Sequence, residues 1–189
     1  MLQFVRPLVR ASAAAAVTAA ITVSAAAQTT TGARPDVHYV PTPEPVVERM
    51  LELADPKPGE LLMDLGSGDG RIPITAVKKY GVRAIGIDID PVRISEAKAN
   101  AREAGVEDKV EFRQENLFEA DIAKADIVTL YLLESLNLRL RPRLLAELKP
   151  GTRIVSHSFS MGDWAPDRRE TVDGRQVYFW TVPEKRAQQ

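Results

Sequence analysis

The chain has no cysteine, so disulfides, thiolate metal sites and cysteine nucleophiles are excluded. A cysteine-free chain also suits an oxidising compartment. Histidine is nearly as scarce. His38 and His157 are the only two, too few for a histidine cluster, and no metal is expected. An excess of basic charge is missing as well. The formal net charge is −1, and once residues 1–27 are set aside, which hold Arg6, Arg10 and no acid, 23 bases face 26 acids, or −3. That balance offers no basic surface for nucleic acid, and no nucleic-acid partner is expected.

Long apolar runs are also absent. The stretch Ala11–Val23 is shorter than the roughly 20 residues a membrane span needs, and its alanines make it only weakly hydrophobic. Its surroundings give it another meaning. Arg6 and Arg10 precede it and Ala25, Ala26 and Ala27 follow, the order of basic region, apolar region and small-residue cleavage site found in secretory signals. Residues 1–27 are therefore expected to be a signal peptide, or an uncleaved N-terminal anchor, with residues 28–37 as a linker. The expected location is outside the cytosol, periplasmic or secreted, with membrane association only through an uncleaved leader; without export the chain is cytoplasmic. The remainder, residues 38–189, is long enough for one well-cored domain and too short for two. A monomer is expected.

From Pro41 onward apolar runs alternate with helical patterns, which argues for crossover units on a mainly parallel sheet. Val46, Val47, Met50, Leu51 and Leu53 recur at helical spacing, with Thr42 as the expected N-cap. Strands are expected at 60–65, 82–88, 110–113, 125–131 and 152–159, with helices at 71–80 and 91–104. Leucines at 133, 136, 140, 144, 145 and 148 follow a helical stripe, but Pro142 predicts a short helix and then a second one starting there. Asp173-Gly174 is expected to join 170–172 to 176–182 as a hairpin.

The strongest motif is Met63-Asp64-Leu65-Gly66-Ser67-Gly68-Asp69-Gly70-Arg71, set between an expected strand and an expected helix. Glycines let the backbone turn with positive φ and let a ligand approach main-chain N–H groups. Their spacing is GxGxG, not the GxGxxG of dinucleotide sites, and no lysine follows as in a phosphate loop. Such a loop suits a ligand without phosphates. About twenty residues on, Gly86-Ile87-Asp88-Ile89-Asp90 ends the second strand. A carboxylate there suits two vicinal ribose hydroxyls. Asp88 takes that role and Asp90 the better fit to a helix N-terminus before Pro91. A dinucleotide would need the same acid, so Asp88 alone does not choose the cofactor.

Together these two motifs resemble the first two motifs of class I S-adenosylmethionine-dependent methyltransferases. The resemblance covers residues 38 to 182. It implies a Rossmann-like α/β fold, a doubly wound seven-stranded sheet, mainly parallel with a C-terminal antiparallel hairpin. It implies S-adenosyl-L-methionine as cofactor, its methionine part on Asp64, Gly66, Ser67, Gly68 and Gly70, its ribose on Asp88 and one adenine face on Ile89. Family members carry an acid after the third strand for the adenine amine; here Asn116-Leu117 stand in that stretch. An amide oxygen can accept from the same amine.

Within the superfamily, Tyr39-Val40-Pro41-Thr42-Pro43 and Leu130-Tyr131-Leu132-Leu133 resemble a small protein-lysine methyltransferase family that includes the mitochondrial enzymes acting on the ATP synthase c subunit. The resemblance implies that Tyr39 and Thr42 close over the methionine end and that Tyr131 borders the transfer channel as the catalytic residue. The acceptor is then a protein lysine, with a small-molecule acceptor or a non-catalytic cofactor-binding envelope protein as alternatives. The Asn/Asp-Pro-Pro-Tyr signature of methyltransferases acting on bases and glutamine is absent. Simpler readings stand beside these: Thr42 as a helix cap, Tyr131 as a strand-end aromatic. His157 reads as a packed sheet histidine or a base at the active end. Trp164 belongs to a substrate-side loop or a lid packed on the sheet edge. Arg139, Arg141 and Arg143 form a solvated face or hold an acidic substrate segment.

Overall fold

The computed structural model describes residues 39–184. The expected leader, the linker and His38 lie outside the described residues. The elements run α1 (Glu44–Ala54), β1 (Leu61–Leu65), α2 (Arg71–Tyr80), β2 (Arg83–Asp88), α3 (Pro91–Glu103), β3 (Val110–Gln114), β4 (Ile127–Leu130), α4 (Glu134–Glu147), β5 (Arg153–His157), β6 (Arg168–Val172) and β7 (Arg175–Thr181). The strands form one sheet in the order β3-β2-β1-β4-β5-β7-β6. The first five are parallel, and β7 returns antiparallel between β5 and β6.

Both faces of the sheet are covered, so its central strands β1 and β4 are buried and mostly apolar, with Asp64 and Thr129 as the polar exceptions. Leu62 packs with α1, α2 and α3, whereas Met63 and Leu65 pack with α4 and the 120–125 segment. This is the period-two alternation of a strand buried on both sides. Truncating Leu62 to alanine would cost about 2–5 kcal/mol, the range for a fully buried leucine. Helix α1 is tied down along its length. Arg49 makes a two-pronged pair with Glu170 of β6 (2.6 and 2.8 Å), and Arg153 of β5 caps the carbonyls of Ala54 (2.8 Å) and Asp55 (2.9 Å).

Three local expectations are corrected. Helix α4 runs unbroken through Pro142, because Leu140 and Leu144 are buried on either side of it and that packing outweighs one lost hydrogen bond; Leu138, the carbonyl partner that position 142 lacks, is an exposed residue. Strand β5 stops at His157, not Phe159, since Ser158 turns to φ 64°. Thr42 does not cap α1: Pro43 holds the cap position without a side-chain bond. Asp90 does cap α3, accepting from Val92 N at 2.8 Å.

Candidate active site at the carboxyl ends of the strands

Parallel strands place their carboxyl ends together, and the strand order reverses at β1 and β4; a crevice outside that switch point follows from the topology. A cleft of about 690 Å³ lies there. Tyr39, Thr42, Asp64, Gly66, Ser67, Asp88, Ile89, Asn116, Leu117 and Tyr131 all line it. Sequence reasoning thus gathered ten residues that the fold brings together.

Gly68 and Gly70 do not line the cleft, and both a positive φ and close packing require glycine there. Gly68 has φ 52°, and a Cβ there would sit 2.3 Å from the Tyr39 ring; at Gly70, φ 81°, it would sit 2.4 Å from Phe112. The loop is held from behind. Gly66 N and Ser67 N both donate to the Ile87 carbonyl (2.8 and 2.9 Å), so β2 fixes its first turn. Asp88 then fixes the second. Its Oδ2 accepts from Gly68 N and its Oδ1 from Asp90 N, each at 2.9 Å. A carboxylate oxygen has two acceptor sites, so each oxygen keeps one for a ribose hydroxyl.

Asp64 is buried and accepts from the Thr129 hydroxyl at 2.7 Å. Register makes the pair, since Asp64 and Thr129 are direct neighbours across β1 and β4. Burial pushes the Asp64 carboxyl up to about 8; the Thr129 bond works against this, and Asp88 and Asp69 add to it. Asp69 goes the other way. Burial raises it, but Arg71 grips both its oxygens (Nε–Oδ1 3.0 Å, Nη2–Oδ2 2.6 Å) and holds it below the usual carboxylate range. The same guanidinium donates to the Thr42 carbonyl at 2.9 Å, and Arg93 lies 4.7 Å over the Tyr39 ring. Residues 39–42 are therefore clamped over the glycine loop. Sequence reasoning missed Asp69 and Arg71 as that clamp, although the Asp-Gly-Arg spacing was in view.

At the β4 and β5 end the lining changes character. Tyr131, Leu132, Leu133, Leu136 and Phe159 face the cleft there, and none is charged. Leu130 pairs with Ser156, so the residues that follow them, Tyr131 just past β4 and His157 at the end of β5, come side by side. Their rings stack with centroids 3.8 Å apart. His157 is fully buried, shares a 3.1 Å hydrogen bond with the Thr42 hydroxyl through Nδ1, and leaves Nε2 without a partner. Burial and the charge of Arg175 push its pKa down to about 4, so it is neutral near pH 7, and it is packed behind Tyr131 without lining the cleft. Asn137, also missed, donates to the Phe159 and Ser160 carbonyls (3.2 Å each) and holds the turn that brings Phe159 to the cleft.

Of the three α4 arginines Arg139 is exposed, as a solvated face requires, whereas Arg141 and Arg143 are half-buried. Arg139 stacks on Phe118 (3.8 Å), Arg141 binds the Met161 carbonyl and Asp163, and Arg143 binds the Leu117 and Ala120 carbonyls and Glu147. Each clamps a loop. Trp164 packs on Trp180, whose indole N–H donates to the Trp164 carbonyl at 2.9 Å. It is an edge-packing residue.

Residues 64–168 match the ANTKMT methyltransferase domain family. A protein-lysine N-methyltransferase of Saccharolobus islandicus is 46% identical over 79% of this chain and 96% of its own length. The chain belongs to that methyltransferase family. The adenine nucleotide translocase lysine N-methyltransferase of Mus musculus is 34% identical over 70% of this chain; the match spans 58% of that longer protein. Among solved structures, an RNA methyltransferase from Salinibacter ruber in complex with S-adenosyl-L-homocysteine is 58% identical, with a TM-score of 0.76 over 79% of this chain and 98% of that one.

This methyltransferase is S-adenosylmethionine-dependent, and its cleft suits that cofactor. The free acceptor sites of Asp88, the buried and unpartnered Ser67 hydroxyl beside the loop, and an absence of any phosphate-binding lysine fit a nucleoside joined to an amino acid. Among the described residues no cluster could hold a metal ion, and no helix is long and apolar enough to cross a membrane.

Proposed function

We propose that the enzyme transfers the methyl group to the side-chain amine of a lysine in a protein. The observation that carries this reading is the 46% identity, along nearly its whole length, to a relative named as a protein-lysine N-methyltransferase. The acceptor end supports it. A lysine must lose a proton before it can attack, and an uncharged wall of Tyr131, Leu132, Leu133, Leu136 and Phe159 favours the neutral amine by desolvation. Asp88, Ile89, Asn116 and Leu117 hold the nucleoside, and the 64–70 loop with Tyr39 and Thr42 the methionine end.

S-adenosylmethionine, when bound, supplies a methyl on a sulfonium with a thioether as built-in leaving group. The residues of the chain therefore align and exclude water more than they react. Tyr131 orients the amine against the methyl carbon. We further propose that the enzyme works as a monomer and that residues 1–27 direct it outside the cytosol.

The test is transfer of tritiated methyl from S-adenosylmethionine into a fractionated extract of the native host, followed by acid hydrolysis. Label recovered as methyllysine is expected. Label recovered in the RNA fraction would favour instead the activity named for the Salinibacter relative, and label in small molecules would remove the protein acceptor altogether.

A further inference from the structure

We infer that His157 is a positioning residue for methyl transfer: it holds the Tyr131 ring in place and ties it to Thr42, the end of the segment clamped over the glycine loop. This rests on the reading of Tyr131 above. His157 does not line the cleft, so it acts on the reaction only through what it touches. It touches two things that do line the cleft. Its ring lies 3.8 Å from the Tyr131 ring at an interplanar angle of 29°, and its Nδ1 is 3.1 Å from the Thr42 hydroxyl.

The polar ring is otherwise out of place. A buried nitrogen without a partner is unfavourable, and a leucine would fill the site without one. Among the two nitrogens, Nδ1–H donating to Thr42 leaves only a bare lone pair at Nε2, a lesser fault than a buried orphan N–H. What the imidazole adds over leucine is a flat face for the tyrosine and a directional bond to the strap. Arg175 on β7 is the charge that bears on it. A neutral ring also adds no positive charge beside a cationic sulfonium and an incoming amine.

The bonds continue beyond Thr42. Its carbonyl accepts from Arg71, Arg71 grips Asp69, and the Tyr39 ring lies against Gly68. An ordered path therefore runs from the glycine loop through Thr42 and His157 to Tyr131. Its consequence is that closing the strap on the cofactor also sets the acceptor side.

The test uses the full chain with 13C-labelled tyrosine rings, S-adenosylhomocysteine as probe ligand, and host protein extract with saturating tritiated S-adenosylmethionine as the transfer assay. In His157→Leu the Tyr131 ring signals, assigned with Tyr131→Phe, are expected to move from distinct to motionally averaged. Its transfer rate should fall about tenfold with probe affinity within about threefold, the pattern of a group acting on the transition state. His157→Phe, which keeps a ring in the same space but not the bond to Thr42, should return the Tyr131 signals to distinct and restore part of the rate. Because His157 acts through Tyr131, His157→Leu with Tyr131→Phe should be no slower than the slower single variant.

Unchanged Tyr131 signals in His157→Leu, or rate losses that multiply in the double variant, would overturn the inference alone. Tyr131 signals that stay averaged in His157→Phe would overturn it equally. A wild-type rate in Tyr131→Phe would instead remove the role of Tyr131, and this inference with it.

Discussion

The two ends of the cleft are built on opposite plans. At the β1 and β2 end the lining holds carboxylates that are already engaged: Asp88 with two backbone amides, Asp64 with Thr129, Asp69 with Arg71. At the β4 and β5 end the lining is an aromatic and aliphatic wall backed by one neutral histidine. A pre-wired polar end recognises one fixed ligand without reorganising. An uncharged end does not choose by charge; it removes water and lets a neutral nucleophile persist. Each end also buries one titratable group in its uncharged form near pH 7, Asp64 with its proton on and His157 with its proton off.

The comparison breaks first at Asp88. Asp88→Ala removes the acceptor for the ribose and frees Gly68 N and Asp90 N together, so S-adenosylhomocysteine affinity should fall by about 3 kcal/mol, the upper part of the range for charge-assisted bonds. Titration calorimetry reads this, and a loss below tenfold would mean the loop keeps its shape without the carboxylate.

The buried pair gives a second effect, in stability. Asp64 has a raised pKa, so its contribution is full below about pH 4 and is lost as pH rises toward 8; His157 has a depressed pKa, so its contribution is full above about 6.5 and is lost as pH falls toward 4. The two slopes oppose each other between pH 4 and 6.5. Above 6.5 only Asp64 acts, and stability should drop by about 2 kcal/mol from pH 6.5 to 8. Urea denaturation of wild type against Asp64→Asn measures it. An equal drop in the variant would place the titration elsewhere.

Tyr131→Phe should slow transfer about tenfold, roughly 1.4 kcal/mol, while probe affinity stays put. Equal loss of affinity would move Tyr131 to the polar end and erase the contrast. The smallest effect is expected at Arg143→Ala, which releases the Leu117 and Ala120 carbonyls. A loss of about 1 kcal/mol in thermal or urea stability fits a partly exposed clamp. No change would show that Leu117 is placed without it.

Most of the polar end was legible in the sequence, because its chemistry is local. Glycine spacing, a strand before it and an acid at the end of the next strand lie within thirty residues and leave a motif. The acceptor end was legible only as a resemblance around Tyr131. Its parts come from positions 42, 131, 137 and 157, and what joins them is sheet register, which no short motif records. Pro142 misled for a related reason: local propensity predicted a break, and tertiary burial of Leu140 and Leu144 overrode it. Asn116 sits where expected but uses its amide oxygen to accept from Phe118 N at 3.1 Å and its amide nitrogen on Glu119, turning the chain after β3.

The way α1 is fastened bears on how a ligand can get in. With Arg49 on Glu170 in its middle and Arg153 on its last carbonyls, the helix cannot tilt without breaking an ion pair to β6 and hydrogen bonds from β5. Among the described residues, those that precede it are held by side-chain hydrogen bonds and ring contacts, and Pro41 and Pro43 stiffen them on both sides of Thr42. Such a segment works as a latch with little slack. It has few conformations to lose on closing, so fastening it over a ligand takes little from the affinity that the polar end provides.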